Sequence, residues 1–327
     1  MKLPRRKFLQ LAGAAFATPI LPQIALALDY PTRPARIIVG FPAGGVTDIG
    51  ARLIAQWLSD HLGQSFVVEN KPGASTQIAA ETVVQAPADG YTLLMDSSTN
   101  AINVSLFKKH NYDFTHDIAP VAGFIRFPLV LVVNPSLPVQ NAPELIAYVK
   151  ANPGTINLAS FGTGTGSHLA GELFKMMAGI SMLHVPYRGS GPMLIDLLGG
   201  HVSAAFDNLP SSIEHIRSGK LRALAVTTAK RLDALPNVPT LAETLPGYEA
   251  SSWIGVGAPA KTPADIIDKL NKEINAAFMD KQIQSKIAKM SAEALPGSAA
   301  DFGKLIAVDV EKWAKVIHAA NIKQVDG

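Results

Sequence analysis

Two glycine-bearing stretches hold residues whose types and spacing suit chemistry. The first is Phe41-Pro42-Ala43-Gly44-Gly45-Val46-Thr47-Asp48; the second is Ser160-Phe161-Gly162-Thr163-Gly164-Thr165-Gly166-Ser167-His168. Each leaves a short β-rich run and enters a helical pattern. Glycines let the backbone turn and bring its N–H groups close to a guest. The first N–H groups of a helix lack intrahelical partners and carry partial positive charge. A carboxylate or phosphate is the natural guest of such a place. Two of them, one in each half of the chain, would grip an anion from opposite sides. Taken alone, either stretch also reads as a tight turn. Neither is a P-loop, because no Gly-Lys-[Ser/Thr] follows, and neither has dinucleotide glycine spacing.

Other candidates sit at the ends of further strands. Ser97, Ser98, Thr99 and Asn100 follow one of them, and their hydroxyls and amide are placed to read the far end of a ligand. Asp207 and Asn208 follow another. Asp207 would hold an ammonium or a hydroxyl and would repel a second bare carboxylate. Asp48 falls in the first turn of its helix, where it stabilises the positive end; bonding to the loop's own amides is the alternative. Phe41 and Phe161 either enclose an apolar ligand body or pack in the core. Arg188, beside Tyr187, reads first as a solvated surface arginine; a counter-charge for the ligand is the alternative. The expected ligand contacts are therefore the first stretch without Pro42, the second without Gly162, and Ser97, Thr99, Asn100, Asp207 and Asn208. No catalytic set stands out. Ser167 and His168 are adjacent, so on a helix their side chains diverge. There is no G-x-S-x-G elbow, no His-Glu-x-x-His and no metal spacing among the eight histidines, so no cofactor or metal is expected.

The elements that must position these residues alternate. Strand patterns at 37–41, 66–69 and 91–95 enclose helical patterns at 47–62 and 77–86. A second series follows: strands near 129–133, 156–159, 182–185, 202–206 and 221–226, with helices near 143–151, 167–178 and 190–198. The βαβ order predicts parallel sheets covered by helices. A proline-rich loop at 231–247 leads to a strand near 253–258. After it, Thr262 is expected to cap a helix opened by Pro263, and Ser298 with Asp301 reads as a capping box. Two α/β units predict two lobes with a ligand cleft outside the strand ends.

Composition narrows the class further. The chain has 327 residues, 48% hydrophobic and 17% charged, which suits a packed globular protein. With no cysteine it has neither disulfides nor thiolate chemistry. Lys2, Arg5, Arg6 and Lys7, an apolar stretch and Ala25-Leu26-Ala27 read as an export leader at 1–27, with Arg5-Arg6 similar to a twin-arginine signal. General secretion is the alternative route. Removing those four cations from a formal charge of +3 leaves −1, which gives no electrostatic footprint for nucleic acid.

Several segments carry a family resemblance. Pro42-Ala43-Gly44-Gly45 with Asp48 and Ala51-Arg52, then Val68-Glu69-Asn70-Lys71-Pro72-Gly73, Asp89-Gly90-Tyr91-Thr92 and His168-Leu169-Ala170-Gly171-Glu172, follow in order. His184-Val185-Pro186-Tyr187-Arg188-Gly189, Asp196-Leu197-Leu198-Gly199-Gly200 and Gly219-Lys220-Leu221-Arg222-Ala223 continue the series. It resembles the tripartite tricarboxylate transporter substrate-binding proteins, also called Bug or TctC receptors. Ala74-Ser75 and Lys261 depart from the pattern where glycine is common. The resemblance implies an α/β, two-lobed type II periplasmic binding protein fold, a Venus flytrap. It implies lobe 1 at 28–129 and 254–327, lobe 2 at 130–253, and carboxylate capture by the two loops. The implied function is that of a periplasmic, monomeric, non-enzymatic receptor serving transporter membrane subunits. A ligand-sensing subunit for a signalling partner, or an enzyme on the same fold, are the alternatives.

Overall fold

The computed structural model describes residues 30–108 and 111–325. The leader expected at 1–27 lies outside the described residues, and the elements belong to the unit that begins at Pro31. Strands β1 (Ala35–Val39), β2 (Phe66–Asn70), β3 (Thr92–Ser97), β4 (Ile118–Phe127), β10 (Ser252–Pro259) and β11 (Glu293–Ala294) make one sheet in the order β11-β4-β10-β3-β1-β2. Strands β5 (Leu129–Val133), β6 (Asn157–Ser160), β7 (Leu183–Pro186), β8 (Ala204–Asn208) and β9 (Arg222–Val226) make a second, ordered β7-β6-β8-β5-β9. Helices α1 (Val46–Leu62), α2 (Gln77–Val84), α3 (Ser98–Leu106), α4 (Phe114–Asp117), α5 (Ala142–Ala151), α6 (Gly166–Ala178), α7 (Ser190–Leu198) and α8 (Leu209–Arg217) connect them. Helices α9 (Ala264–Ala277), α10 (Lys281–Lys289) and α11 (Ala299–Ala319) finish the chain.

The expected parallel sheets are only partly parallel. β1 is parallel to β2 and β3, and β6 to β7 and β8. β10, however, enters antiparallel between β3 and β4, and β5 lies antiparallel between β8 and β9. All five residues of β5 and all eight of β10 are buried. A strand covered on both faces reads as one apolar run, whichever way it points. The first strand ends at Val39, so Gly40 and Phe41 belong to the loop after it.

The cap expected at Thr262 is absent: α9 begins one residue later, Pro263 occupies its N-cap, and the Thr262 hydroxyl is buried without a partner. The capping box of Ser298 and Asp301 opens α11 as expected.

The chain passes from the first sheet to the second through Pro128, which alone separates β4 from β5, and returns between β9 and β10. Thr227 ties the two crossings. Its N–H donates to Leu129 O at 3.0 Å, its Oγ1 accepts from Leu129 N at 3.0 Å, and its carbonyl accepts from Ala250 N at 3.1 Å. Two helices serve both sheets. In α11, Phe302 and Ile306 pack with the core of the first sheet; Trp313, Val316 and Ile317 pack with that of the second. In α3, Ala101 faces the first core and Ile102 and Leu106 the second. The last helix is therefore shared between the sheets, a role its helical periodicity does not reveal.

Candidate ligand-binding site

A cavity of about 390 Å³ lies between elements of the two sheets. The first sheet supplies Phe41 and the start of α1, the start of α3, and Ser252, Trp253 and Ile254 of β10. The second supplies Phe161, Gly166, Arg188 and the starts of α7 and α8. Three of these helix starts have no side chain over their N–H groups. α1 is preceded by Gly45, α7 by Gly189, and α8 by Asn208, whose side chain makes no capping bond. Away from the cavity α5, α10 and α11 are capped by the side chains of Asn141, Asp280 and Ser298, while α2 and α9 are not. Uncapped helix starts aimed into one cavity make it a place for negative charge. Arg188 is the one charged residue among those lining it, and no acidic residue does.

Loop 41–48 owes its shape to Asp48, which is 2% exposed. Asp48 Oδ2 accepts from Gly44 N at 2.9 Å, and Oδ1 accepts from Asn70 Nδ2 at 2.9 Å. Arg52 grips both oxygens, at 3.0 and 2.9 Å. Burial acts to raise the Asp48 pKa, but the bonds from Arg52, Gly44 and Asn70 outweigh it and hold the carboxyl below its usual value. Asp48 thus takes the loop-shaping role, by occupying the Gly44 amide. The amides of Gly45, Val46 and Thr47 have no partner among the described residues, and all three residues line the cavity.

Loop 160–168 turns on Gly162 and Gly164, both in the left-handed region at φ 149° and 75°. Gly164 N donates to His168 Nδ1 at 3.2 Å, and Thr165 Oγ1 donates to Gly162 O at 2.7 Å and caps His168 N. His168 stacks on His184 at 4.0 Å, and His184 Nε2 meets Ser160 Oγ at 2.7 Å. Burial, then the neighbouring His168, pushes His184 down to about 3. Gly166 brings the start of α6 against β10: a Cβ there would lie 2.5 Å from Ser252 Oγ.

The two loops share the cavity unequally. Of the second loop, only Phe161 and Gly166 line it. Thr163 and Thr165 line another cavity, of about 690 Å³, which shares Phe41, Phe161 and Arg188 with the first. Ser167 Oγ donates to Phe206 O. Ser160, Gly164 and His168 are engaged within the loop's own framework, as described above. Asn100 accepts from Ser97 N and Oγ, forming the capping box of α3. The segment after β3 is thus a helix start, and Ser97, Ser98 and Thr99 line the cavity. Asp207 is wholly buried, with its oxygens taken by Ser190 and Ser212 at 2.6 Å each; Asn208 lines the cavity. Asp207 itself does not line the cavity; Ser190, which bonds it, does.

Sequence reasoning passed over Ser190, Gly191, Ser211, Ser252 and Trp253 as lining residues. Gly189-Ser190-Gly191-Pro192 did carry a signal: a strand, then glycines, then proline in the first helical turn, the same grammar as the two named loops. Ser252 and Trp253 carried none, since a buried antiparallel strand gives no sign of which residue faces a cavity.

Two α/β sheets joined by two crossings, with uncapped helix starts around a shared cavity, make up the two-lobed fold of periplasmic binding proteins. Residues 50–322 match the family described as tripartite tricarboxylate transporter family receptor, and the chain belongs to that family. Protein BugT of Bordetella pertussis is 40% identical over 320 residues, which cover 97% of this chain and 98% of BugT. A structure described as R. palustris Rpa4515 with adipate is 41% identical, with a TM-score of 0.87 over 90% of this chain and 100% of that one. MatC (Rpa3494) from Rhodopseudomonas palustris with bound malate is 29% identical, with a TM-score of 0.82 over 88% of this chain and 100% of that one.

Proposed function

We propose that this chain is a periplasmic receptor that captures a small carboxylate in the 390 Å³ cavity and presents it to the membrane subunits of a tripartite transporter. The observation that carries this reading is the set of uncapped helix starts, α1 from one lobe and α7 and α8 from the other, facing a cavity lined by Arg188 and no acidic residue. The amides of Gly45, Val46 and Thr47, with Gly166 opposite, hold the carboxylate. A ligand gripped from both lobes favours their closed arrangement, because only closure brings both donor sets onto one anion. The receptor works as a monomer, without a cofactor, and releases its ligand unchanged. The likeness to proteins described with adipate and with malate supports the carboxylate class.

A thermal-shift screen against mono-, di- and tricarboxylates tests the reading. An acid at about 100 times its Kd stabilises the fold by roughly 2.7 kcal/mol. A well-folded sample that no acid stabilises would overturn it.

A further inference from the structure

β8 ends in Phe206-Asp207-Asn208 where α8 begins, so Asp207 lies under the second-lobe wall of the cavity. It is wholly buried and makes no ion pair among the described residues. Its Oδ1 accepts from Ser190 Oγ and its Oδ2 from Ser212 Oγ, each at 2.6 Å, and Asn208 N–H donates to it as well. Burial lifts its pKa to about 6 against the pull of these bonds, and the two serine hydroxyls and the Asn208 N–H that converge on it leave it only acceptor positions.

A serine hydroxyl has one proton. The proton of Ser190 is committed to Asp207, so toward the cavity, which Ser190 lines, the oxygen offers lone pairs alone. Ser190 Oγ is therefore an acceptor in a cavity whose remaining polar wall is made of amide donors, hydroxyls and one guanidinium. An acceptor left empty under a closed ligand is unfavourable. A carboxylate satisfies the donors and cannot fill this acceptor.

We propose that Asp207 is a positioning residue that sets which acid the cavity takes: by drawing the Ser190 proton it makes Ser190 an acceptor, so the preferred ligand is an acid bearing a hydroxyl or ammonium donor. This rests on the carboxylate reading above. It gives Asp207 a part in recognition although no ligand touches it.

Calorimetric titration of the purified protein with three matched series tests the idea: propionate, lactate and alanine; succinate, malate and aspartate; glutarate, 2-hydroxyglutarate and glutamate. Within each series only the group at C2 changes, from hydrogen to hydroxyl to ammonium. In a skeleton that binds, the hydroxyl or ammonium member is expected to bind about tenfold or more tightly than the hydrogen member. The stronger of the two identifies the donor. Ser190→Ala and Asp207→Asn should bring that ratio to within about threefold of one, by weakening the hydroxyl or ammonium member more than the hydrogen member. Ser190→Thr, which keeps the hydroxyl, should restore it. If Asp207→Asn fails to fold, Ser190→Ala and its threonine rescue decide alone.

A hydrogen member that binds as well as its partners overturns the proposal and leaves the carboxylate reading standing. So does a preference that survives Ser190→Ala. Nine acids that all fail to bind a cooperatively melting protein would overturn the proposal, and the carboxylate reading falls with it only if the wider acid screen also finds no ligand.

Discussion

Loops 41–48 and 160–168 both leave a strand, both turn on glycines in the left-handed region, and both end at a helix start, yet they are propped by opposite means. The first rests on an ion: Asp48 takes the Gly44 amide and is itself gripped through two bonds by Arg52. The second rests on a pair of stacked imidazoles: His168 takes the Gly164 amide, and His184 stacks on it while bonding Ser160. Their surroundings differ too. A Cβ at Gly44 would meet nothing within 4 Å. A Cβ at Gly164 would lie 2.7 Å from Leu106 and 2.8 Å from Asn103, across the interface with α3. One loop is free on its outer side and held from within; the other is wedged between lobes. A similar helix-start chemistry was thus built twice on unrelated supports, and the two should fail under different insults.

The largest expected difference is steric. Gly44→Ala has only left-handed backbone strain to bear and should cost about 1–2 kcal/mol. Gly164→Ala bears the same strain and also drives a methyl into the buried side chains of Leu106 and Asn103. Overpacking of this kind adds about 1–3 kcal/mol. Urea unfolding of the two variants should therefore rank Gly164→Ala as clearly the more damaging. Equal midpoints would mean that the second loop is not wedged, and the comparison would lose its steric half.

How much of this was legible in the sequence follows from the same contrast. Gly44 and Gly164 announce themselves because only glycine takes their φ angles easily, so both loops were found and their helix starts assigned within a residue. The roles of Asp48 and Asp207 depend on partners 22 and 17 positions away, Asn70 and Ser190, which no local pattern shows. β4 went unread because Pro120, Gly123 and Arg126 interrupt its ten residues. The directions of β5 and β10 were hidden by complete burial, and with them the inward face of Ser252 and Trp253. Only two of the helix starts around the cavity were credited with binding. The one at α7, a glycine-serine-glycine-proline run, was not among them.

A pH sweep separates the props next. His184 is neutral in the fold down to about pH 3, whereas the unfolded chain protonates it near pH 6.5. Its pKa is lowered on folding, so the stability it contributes is present above about 6.5 and is lost as pH falls toward 3. His168, Glu172 and Lys175 face it; Glu172 is held at about 2 and stays charged throughout a sweep from pH 7 to 5. Asp48 is also lowered, but its contribution is present above the ordinary carboxylate range and lost only below it. The stability advantage of the parent over His184→Gln should therefore shrink between pH 6.5 and 5, by at most about 1.4 kcal/mol per pH unit. Its advantage over Asp48→Asn should stay flat in that window. Asp96, raised by burial to about 8, and Asp207, raised to about 6, are common to every sample and cancel in the difference. Parallel pH dependence in the two variants would erase the distinction between the carboxylate and the imidazole support.

The smallest effect separates two arginines that look alike in sequence. Arg52 is consumed by Asp48 inside the first loop's support, while Arg188 lines both cavities and makes no ion pair among the described residues. Arg52→Gln removes a buried carboxylate's main partner and should lower the unfolding midpoint while changing the affinity of the folded protein little. Arg188→Gln should leave the midpoint unchanged. It should weaken binding of whichever acid the thermal screen identifies by no more than about fivefold, because an exposed charge pair is worth only about 0.2–1 kcal/mol. That weakening should also fade as salt is raised, since an exposed guanidinium is screened and helix-start amides buried under a closed ligand are screened far less. Calorimetry at low and high salt reads both terms. A loss that does not change with salt would mean that Arg188 touches the acid in a dehydrated site. The second lobe would then contribute a fixed charge to binding, where the first contributes backbone alone.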